Sequence, residues 1–367
     1  MEVFNKNGSN KNPYAKIFIR KGRYLYIPIN NPKIINKSFD LYPISNSFKN
    51  IYIKIINFII CKRKKNLICT DFSKSINDLT KSINGYRHAA IYTGTNFING
   101  SYTLQLMDDD SNILGFAKIP KSEEGKIYID REKENLEYLK NLNLEYVIVP
   151  DVIAFDKNES MLIQSTKEIL EKDKSELNDI HLNFINELYN KTKIEYVFNE
   201  SEIYRQITYM RNKYMNYKLG NLLEKALMSI KSCKSLNKIE YCFSHYDFYP
   251  SNIKIYNDKL YVFDWESGKM GPILYDIFNY IHTTSKMSSR IQPRKGNLKK
   301  LIIKEFLENK KIIEFLRING INKEIIKPML IIYFCELIYK HAIELELSIE
   351  SNITIKRSCK FIEILVD

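Results

Sequence analysis

The sequence predicts an α+β chain in two parts: a small antiparallel sheet with one helix, then a larger, mainly helical part that carries a short hairpin. Three observations predict it. Short apolar runs, several alternating with polar residues, follow one another between Tyr86 and Thr166, interrupted once by leucines at helical spacing. After Thr166, apolar residues recur at the three- and four-residue intervals of amphipathic helices. Within that helical stretch, "NIKIYNDKLYVFD" alternates on both sides of Asn257-Asp258, a dipeptide that favours a tight turn.

The elements follow in chain order. Residues 1–85 alternate apolar runs with Asn, Pro and Lys, and "KIFIRKGRYLYIPI" reads as strands around Lys21-Gly22. "IYIKIINFIIC" is too short to span a bilayer and contains Lys54, so it reads as a buried strand or helix. This region is expected to be an N-terminal extension, and no role is assigned to it. Residues 86–166 form the next unit. "HAAIYTGTNFINGSYTLQLMDDD" reads as strand, glycine-containing loop, strand and an acidic turn at Asp108–Asp110, and "NILGFAKIP" as a third strand. "DREKENLEYLKNL" places Leu136, Leu139 and Leu142 at helical spacing, with Asp130 as its expected N-cap. "EYVIVPDVIAF" and "SMLIQST" are two more strands. Residues 167–367 form the helical unit. "SELNDIHLNFINELYNKT" and "EIYRQITYMRNKYMNYKLGNLLEKALMSIKSC" are amphipathic, and Ile326, Met329, Leu330, Tyr333, Phe334 and Leu337 form a buried stripe. There is no internal repeat.

The chain has 367 residues, 44% of them apolar, which is enough to bury a sizeable core. Its net charge of +13 admits two readings: an anionic partner, or the codon usage of an AT-rich genome, which favours Lys, Asn, Ile, Tyr and Phe. The wide spread of the lysines favours the second. The densest basic stretches, Lys62–Lys65 and "RIQPRKGNLKK" from Arg290 to Lys300, lack the interleaved Arg and aromatic residues of a nucleic-acid groove, so no nucleic-acid partner is expected. Basic side chains gain roughly 1 kcal/mol each near an anionic lipid surface, which allows transient membrane contact. The cysteines at 61, 69, 233, 242, 335 and 359 make no CxxC pair, and no HExxH occurs, so a zinc site is not expected. The first residues lack an apolar signal core, so these cysteines are expected to be reduced thiols of a cytoplasmic protein. His88, His181, His282 and His341 share no ligand spacing and read as structural.

The hairpin is where chemistry concentrates. Asp247 precedes its first strand, Asp264 follows its second, and Asn252 stands at the start of the first. All three therefore fall at one end of the hairpin. A carboxylate and a carboxamide there make a hard-oxygen site suited to Mg²⁺. A further carboxylate can take a proton from a hydroxyl, a set that suits phosphoryl transfer.

"HYDFYPSN" followed by "VFDWE" resembles the signature of the aminoglycoside phosphotransferase/choline kinase group of kinase-like enzymes. That signature reads H-x-D-x-x-x-x-N, a short hairpin, then [I/V]-x-D-[W/F]-E. "GPILYDIFNYI" resembles the family downstream. The likeness covers roughly residues 86–345 and leaves the first 85 unmatched. It implies a bilobal protein-kinase-like fold and an ATP- and Mg²⁺-dependent phosphotransferase acting on a hydroxyl of a small molecule.

Carried onto this chain, the resemblance makes Asp247 the catalytic base and Asn252 and Asp264 the Mg²⁺ ligands. His245 would hold the loop by hydrogen bonds, and Asp276 would brace it from the following helix. Lys118 in "GFAKIP" matches the phosphate-binding lysine, and Glu132 in "REKENLEYL" its glutamate partner, with Glu134 a close alternative. The loop between Gly94 and Gly100 would cover the phosphates, and the segment around Gln164–Thr166 would read adenine through its backbone. Tyr246 departs from the pattern, since glycine is frequent after the histidine; a bulky residue there either covers the loop or crowds it.

Three rival readings stand against this one. A catalytically silent nucleotide-binding module is opposed by the presence of Asp247, Asn252, Asp264 and Lys118 together. A protein kinase is opposed by "DWE" in place of Asp-Phe-Gly and by the lack of a clear activation segment ending in Ala-Pro-Glu. Among small-molecule acceptors, the basic chain favours a neutral or anionic compound such as a sugar or polyol over a cationic aminoglycoside or choline.

Overall fold

The computed structural model describes residues 4–5, 12–20, 22–29, 31–41, 67–72, 74–94, 100–167, 171–173, 176–285 and 295–367. Lys21, the apolar run 51–61, Lys62–Lys65, the interior of the glycine loop at 95–99 and the basic loop from Arg290 to Arg294 lie outside the described residues. The chain divides into two compact units, one of residues 1–141 with 149–169 and one of residues 142–148 with 170–367.

The strands of the first part of the chain are β1 (Phe4–Asn5), β2 (Asn12–Arg20), β3 (Arg23–Pro28), β4 (Leu67–Phe72), β5 (His88–Tyr92), β6 (Ser101–Met107), β7 (Ile113–Pro120), β8 (Val147–Ile148), β9 (Val152–Asp156) and β10 (Met161–Gln164). All but β8 form one nine-stranded sheet in the order β1-β4-β2-β3-β5-β6-β7-β10-β9. Neighbours run antiparallel. The expected strands are present, and the β2–β3 turn contains Gly22 with φ +75°. The boundary expected at residue 85 falls inside this sheet. β3 pairs with β5 through Leu25–Tyr92 and Tyr26–Ile91, and the Thr93 amide donates to the Tyr24 carbonyl at 3.0 Å.

Alternation decides what faces the core. Along β7, Ala117 and Ile119 join Ala89, Ile91, Leu104, Leu106, Met161 and Ile163 in an apolar cluster. Successive strand residues point to opposite faces, so Lys118 is directed away from that cluster. The helix of this unit spans Glu123–Asn141, with Ile129, Glu132, Asn135, Leu136 and Leu139 buried. It begins well before Asp130, which is therefore interior to it and not its cap. Ser122 Oγ accepts the Gly125 amide at 3.0 Å and caps the helix instead.

"EYVIVPDVIAF" is two strands and not one. Pro150 cannot donate to a ladder, and the run divides there. β9 stays in the large sheet, while β8 pairs in parallel with a strand of the second unit.

That second unit contains β11 (Glu171–Lys172), β12 (Ile194–Val197), β13 (Lys238–Ser244), β14 (Ile253–Tyr256), β15 (Lys259–Val262) and β16 (Lys269–Pro272). They form two small sheets, ordered β11-β14-β15-β8 and β12-β13-β16. β14 and β15 are the expected hairpin. Asn257 and Asp258 both take positive φ, at 49° and 59°, as a tight two-residue turn requires. Around these sheets pack helices that include Asp179–Thr192, Glu202–Lys213, Lys218–Lys231, Tyr275–Thr284, Ile326–Tyr339 and Ile353–Val366.

The long amphipathic run is two helices, Glu202–Lys213 and Lys218–Lys231. Gly220 lets the Tyr214 carbonyl approach, since a Cβ there would fall 2.3 Å from that oxygen. The expected stripe on Ile326–Tyr339 is wider than expected: residues Pro328 to Ile338 are all buried. Among the described residues, no helix is long and apolar enough to cross a membrane, and Cys233, Cys242, Cys335 and Cys359 are free thiols.

Candidate active site

In the second unit the site is built on the loop from the end of β13 to the start of β14. His245 is fully buried. The Asp276 carboxylate, in the first turn of helix Tyr275–Thr284, accepts the backbone amides of His245 at 2.7 Å and Tyr246 at 3.0 Å. Burial pushes the Asp276 carboxyl up to about 7, the two amides oppose the rise, and the charge of Asp247 adds to it.

The His245 ring links the segment that enters the hairpin to the one that leaves it. Nδ1 accepts the Asp247 amide at 3.2 Å, and Nε2 stands 3.0 Å from the Phe263 carbonyl. A nitrogen that accepts from an amide carries no proton, so the pattern assigns the neutral tautomer with the proton on Nε2, donated to Phe263. The Trp265 ring lies 4.4 Å from the imidazole and keeps water from it, being wholly buried. The sole tryptophan thus belongs to the core.

Asn252 is 5% exposed and anchored by its backbone. Its amide donates to Tyr249 O at 2.9 Å, and its carbonyl accepts from Phe263 at 3.1 Å. Its side-chain Nδ2 donates to both Asp247 O and Asp247 Oδ2, each at 3.0 Å. The hairpin register pairs Ile253 with Val262, so Asn252 falls opposite Phe263, and Asp264 follows one residue later. Asp264 adopts the left-handed region, φ 70° and ψ 54°, which aspartate tolerates better than most residues. Both carboxylates lie near Tyr249: burial first, then the charges of Asp247 and Asp264, push its hydroxyl up to about 12.

The donor set fits a small divalent cation. With its nitrogen engaged by Asp247, Asn252 has its amide oxygen to offer, and Asp264 is a half-buried carboxylate at the same hairpin end. These are hard oxygen ligands of the kind Mg²⁺ takes.

In the first unit, Lys118 Nζ lies 2.6 Å from Glu132 Oε2. Glu132 is completely buried, whereas Glu134, the alternative, is exposed on the far side of the helix. Gly94 has φ +57°, and a Cβ on it would fall 2.1 Å from Ser101 O, so no other residue fits. Gly100 closes the other end of that loop and accepts the Lys121 amide at 3.1 Å. Gln164 ends β10 opposite Phe116 and Val152. Its side-chain Nε2 is buried without a hydrogen-bond partner among the described residues. Gly115 admits the Gln164 carbonyl, which would lie 2.5 Å from a Cβ there. Thr166 follows, half-buried, after Ser165, whose amide donates to Asp151 O at 2.9 Å.

The structure therefore gathers Asp247, Asn252, Asp264, His245 and Asp276 in the second unit. It pairs Lys118 with Glu132 in the first, with Gly94 and Gly100 flanking one loop and Gln164 and Thr166 at the end of β10. Sequence reasoning missed Asn279, whose Nδ2 donates to Phe248 O at 3.2 Å. Its spacing of three from Asp276, on one helix face, was the available signal.

No protein-family model and no curated protein matches the chain. Solved structures do resemble it. An ADP-bound aminoglycoside phosphotransferase is 16% identical over 80% of this chain and 97% of its own, at a TM-score of 0.48. The choline kinase LicA from Streptococcus pneumoniae is 15% identical over 79% and 98%, at 0.47. A Plasmodium vivax ethanolamine kinase is 14% identical over 95% of both chains, at 0.48. At these identities, with TM-scores below 0.5, roles for the residues above rest on their own geometry.

Proposed function

We propose that this chain is a phosphotransferase that moves the γ-phosphoryl group of ATP to a hydroxyl of a small molecule. The observation that carries the reading is the hairpin end, where Asn252 ties Asp247 in place and Asp264 stands two residues beyond the paired strand. Asp247 acts as base: it takes the proton of the acceptor hydroxyl as the new O–P bond forms and the bond from Pγ to the ADP oxygen breaks. Lys118, held by Glu132, neutralises phosphate charge. Gly94 and Gly100 let the loop backbone approach the phosphates, and the segment Gln164–Thr166 takes the adenine edge. Asn252 and Asp264 hold Mg²⁺, which when bound offsets phosphate charge. His245 and Asp276 keep the loop in register.

The acceptor we propose is a neutral or anionic hydroxyl compound, a sugar or polyol. The support is the net charge of +13, which disfavours a cationic substrate. An ADP-release screen over sugars, polyols, amino alcohols and aminoglycosides, with and without Mg²⁺, tests both parts. Mg²⁺-dependent ADP formation with a sugar or polyol is the expected result. Nucleotide binding without ADP formation on any acceptor would leave a silent nucleotide-binding module. Clear preference for kanamycin or choline would replace the acceptor reading and leave the phosphotransfer reading intact.

A further inference from the structure

In "MLIIYFCELIY" Glu336 is the only charged residue of an otherwise apolar and tyrosine-bearing run, and it is buried. A buried carboxylate costs free energy unless it is hydrogen-bonded. Its partner comes from 90 residues away: the Tyr246 hydroxyl donates to Glu336 Oε1 at 3.0 Å. Tyr333, three residues earlier and on the same helix face, donates to Asn279 Oδ1 at 3.2 Å, and Asn279 donates to Phe248 O. One helix face thus reaches residue 246 directly and residue 248 through Asn279, on either side of Asp247.

Tyr246 is an unusual residue to find there. Its φ is +62°, a region that bulky residues rarely occupy and glycine occupies freely. It nonetheless has a fitted seat. Its ring stacks on Tyr275 at 4.1 Å, and the Lys269 ammonium lies 4.5 Å from the centre of the Tyr246 ring. Gly271 makes the room, since a Cβ there would lie 2.0 Å from the Tyr246 hydroxyl oxygen. The side chain therefore points into the second unit and neither covers nor crowds the hairpin end. A residue in an unfavoured backbone region persists only when its surroundings hold it. Here Asp276 holds the amide and Glu336 holds the side chain.

We propose that Tyr246 and Glu336 form a buried positioning pair that fixes the backbone at Asp247, an inference that rests on Asp247 being the base. The rival is a pair that merely fills space. Glu336→Leu, Tyr246→Phe and the double variant separate the two. Each single change leaves one buried polar group unsatisfied, whereas the double change removes both, so stability falls in the singles and returns in the double. A positioning pair gives a different pattern for the loop. In the double variant the amides of Tyr246 and Asp247 exchange with solvent faster than in the wild type. Turnover stays about tenfold to a hundredfold low, the usual cost of small misplacement, while nucleotide affinity and KM hold. Recovery of both amide exchange and turnover together with Tm would overturn the proposal. Amide exchange also decides the pair if the wild type forms no ADP, a result that would sink the phosphotransfer reading alone. Should Glu336→Leu fail to fold, Tyr246→Phe against Glu336→Gln carries the contrast. Phe removes the hydroxyl, and Gln keeps an acceptor for it, so only the first is expected to quicken exchange. Equal exchange in the two would count against the pair.

Discussion

Asn252 Nδ2 donates to Asp247 twice, to its backbone oxygen and to Oδ2, both at 3.0 Å. The residue proposed as base and the residue proposed as metal ligand are therefore one hydrogen-bonded unit. A disturbance at either is felt at the other, which sets how variants here must be read.

Asp247→Asn keeps an oxygen for the Asn252 donor but cannot take a proton. Turnover is expected to fall by about 10²–10⁴, the usual worth of a general base. Nucleotide affinity and Tm should hold. ADP formation on the best acceptor measures it, and near-native turnover would remove the assignment.

Asp264→Ala removes a carboxylate at the hairpin end without touching the Asn252–Asp247 bonds. Calorimetric titration should show MgATP affinity lost while metal-free nucleotide binding changes little. Unchanged MgATP affinity would make Asp264 a strand-end residue with a structural part only.

Lys118→Met removes the cation that the buried Glu132 faces at 2.6 Å. Breaking a buried ion pair from one side costs about 3–5 kcal/mol, so denaturant midpoint and Tm should both drop. Lys118→Met with Glu132→Leu should regain most of that stability yet stay inactive. A double variant as unstable as the single would show that packing, and not charge, sets the cost.

Glu336 carries a pH signature in stability. Burial, reinforced by Glu202 and Glu344 and opposed by Lys269 and the Tyr246 hydroxyl, pushes its carboxyl from an ordinary 4.5 up to about 7. Between those values the folded chain keeps a proton that the unfolded chain has released, so raising the pH favours unfolding. The stabilising effect is fully present below about 4.5 and lost as the pH passes about 7. Comparison with Glu336→Gln, which does not titrate, isolates the group. The stability difference, wild type minus variant, should decline across that window and level off above it. A flat difference would mean that Glu336 is already ionised inside the fold.

Much of the site was legible because its signals are local. The hairpin declared itself by alternation about Asn257-Asp258, and with it the convergence of Asp247, Asn252 and Asp264. Glu132 was harder to tell from Glu134 because sequence alone sets the helix phase loosely. Once Ser122 is the cap, Glu132 shares a face with Ile129, Leu136 and Leu139. What stayed hidden depends on partners far along the chain. β8 leaves the large sheet because β15 offers it an edge over a hundred residues later, which no periodicity encodes. Tyr246 looked like a hazard to the loop because its seat, built from Gly271, Tyr275 and Glu336, exists only after folding.

The continuity of the large sheet bears on how the protein can be divided. Beginning the chain at residue 86, where the recognisable motifs begin, would strip β5 of β3, its neighbour at Leu25 and Tyr26. β5 would then present a bare row of amides and carbonyls beside the buried Ala89, Ala90 and Ile91. Such a margin is a template for joining another chain. The first sign of the loss would be insolubility, and an inactive preparation of that kind would say nothing about the chemistry of Asp247.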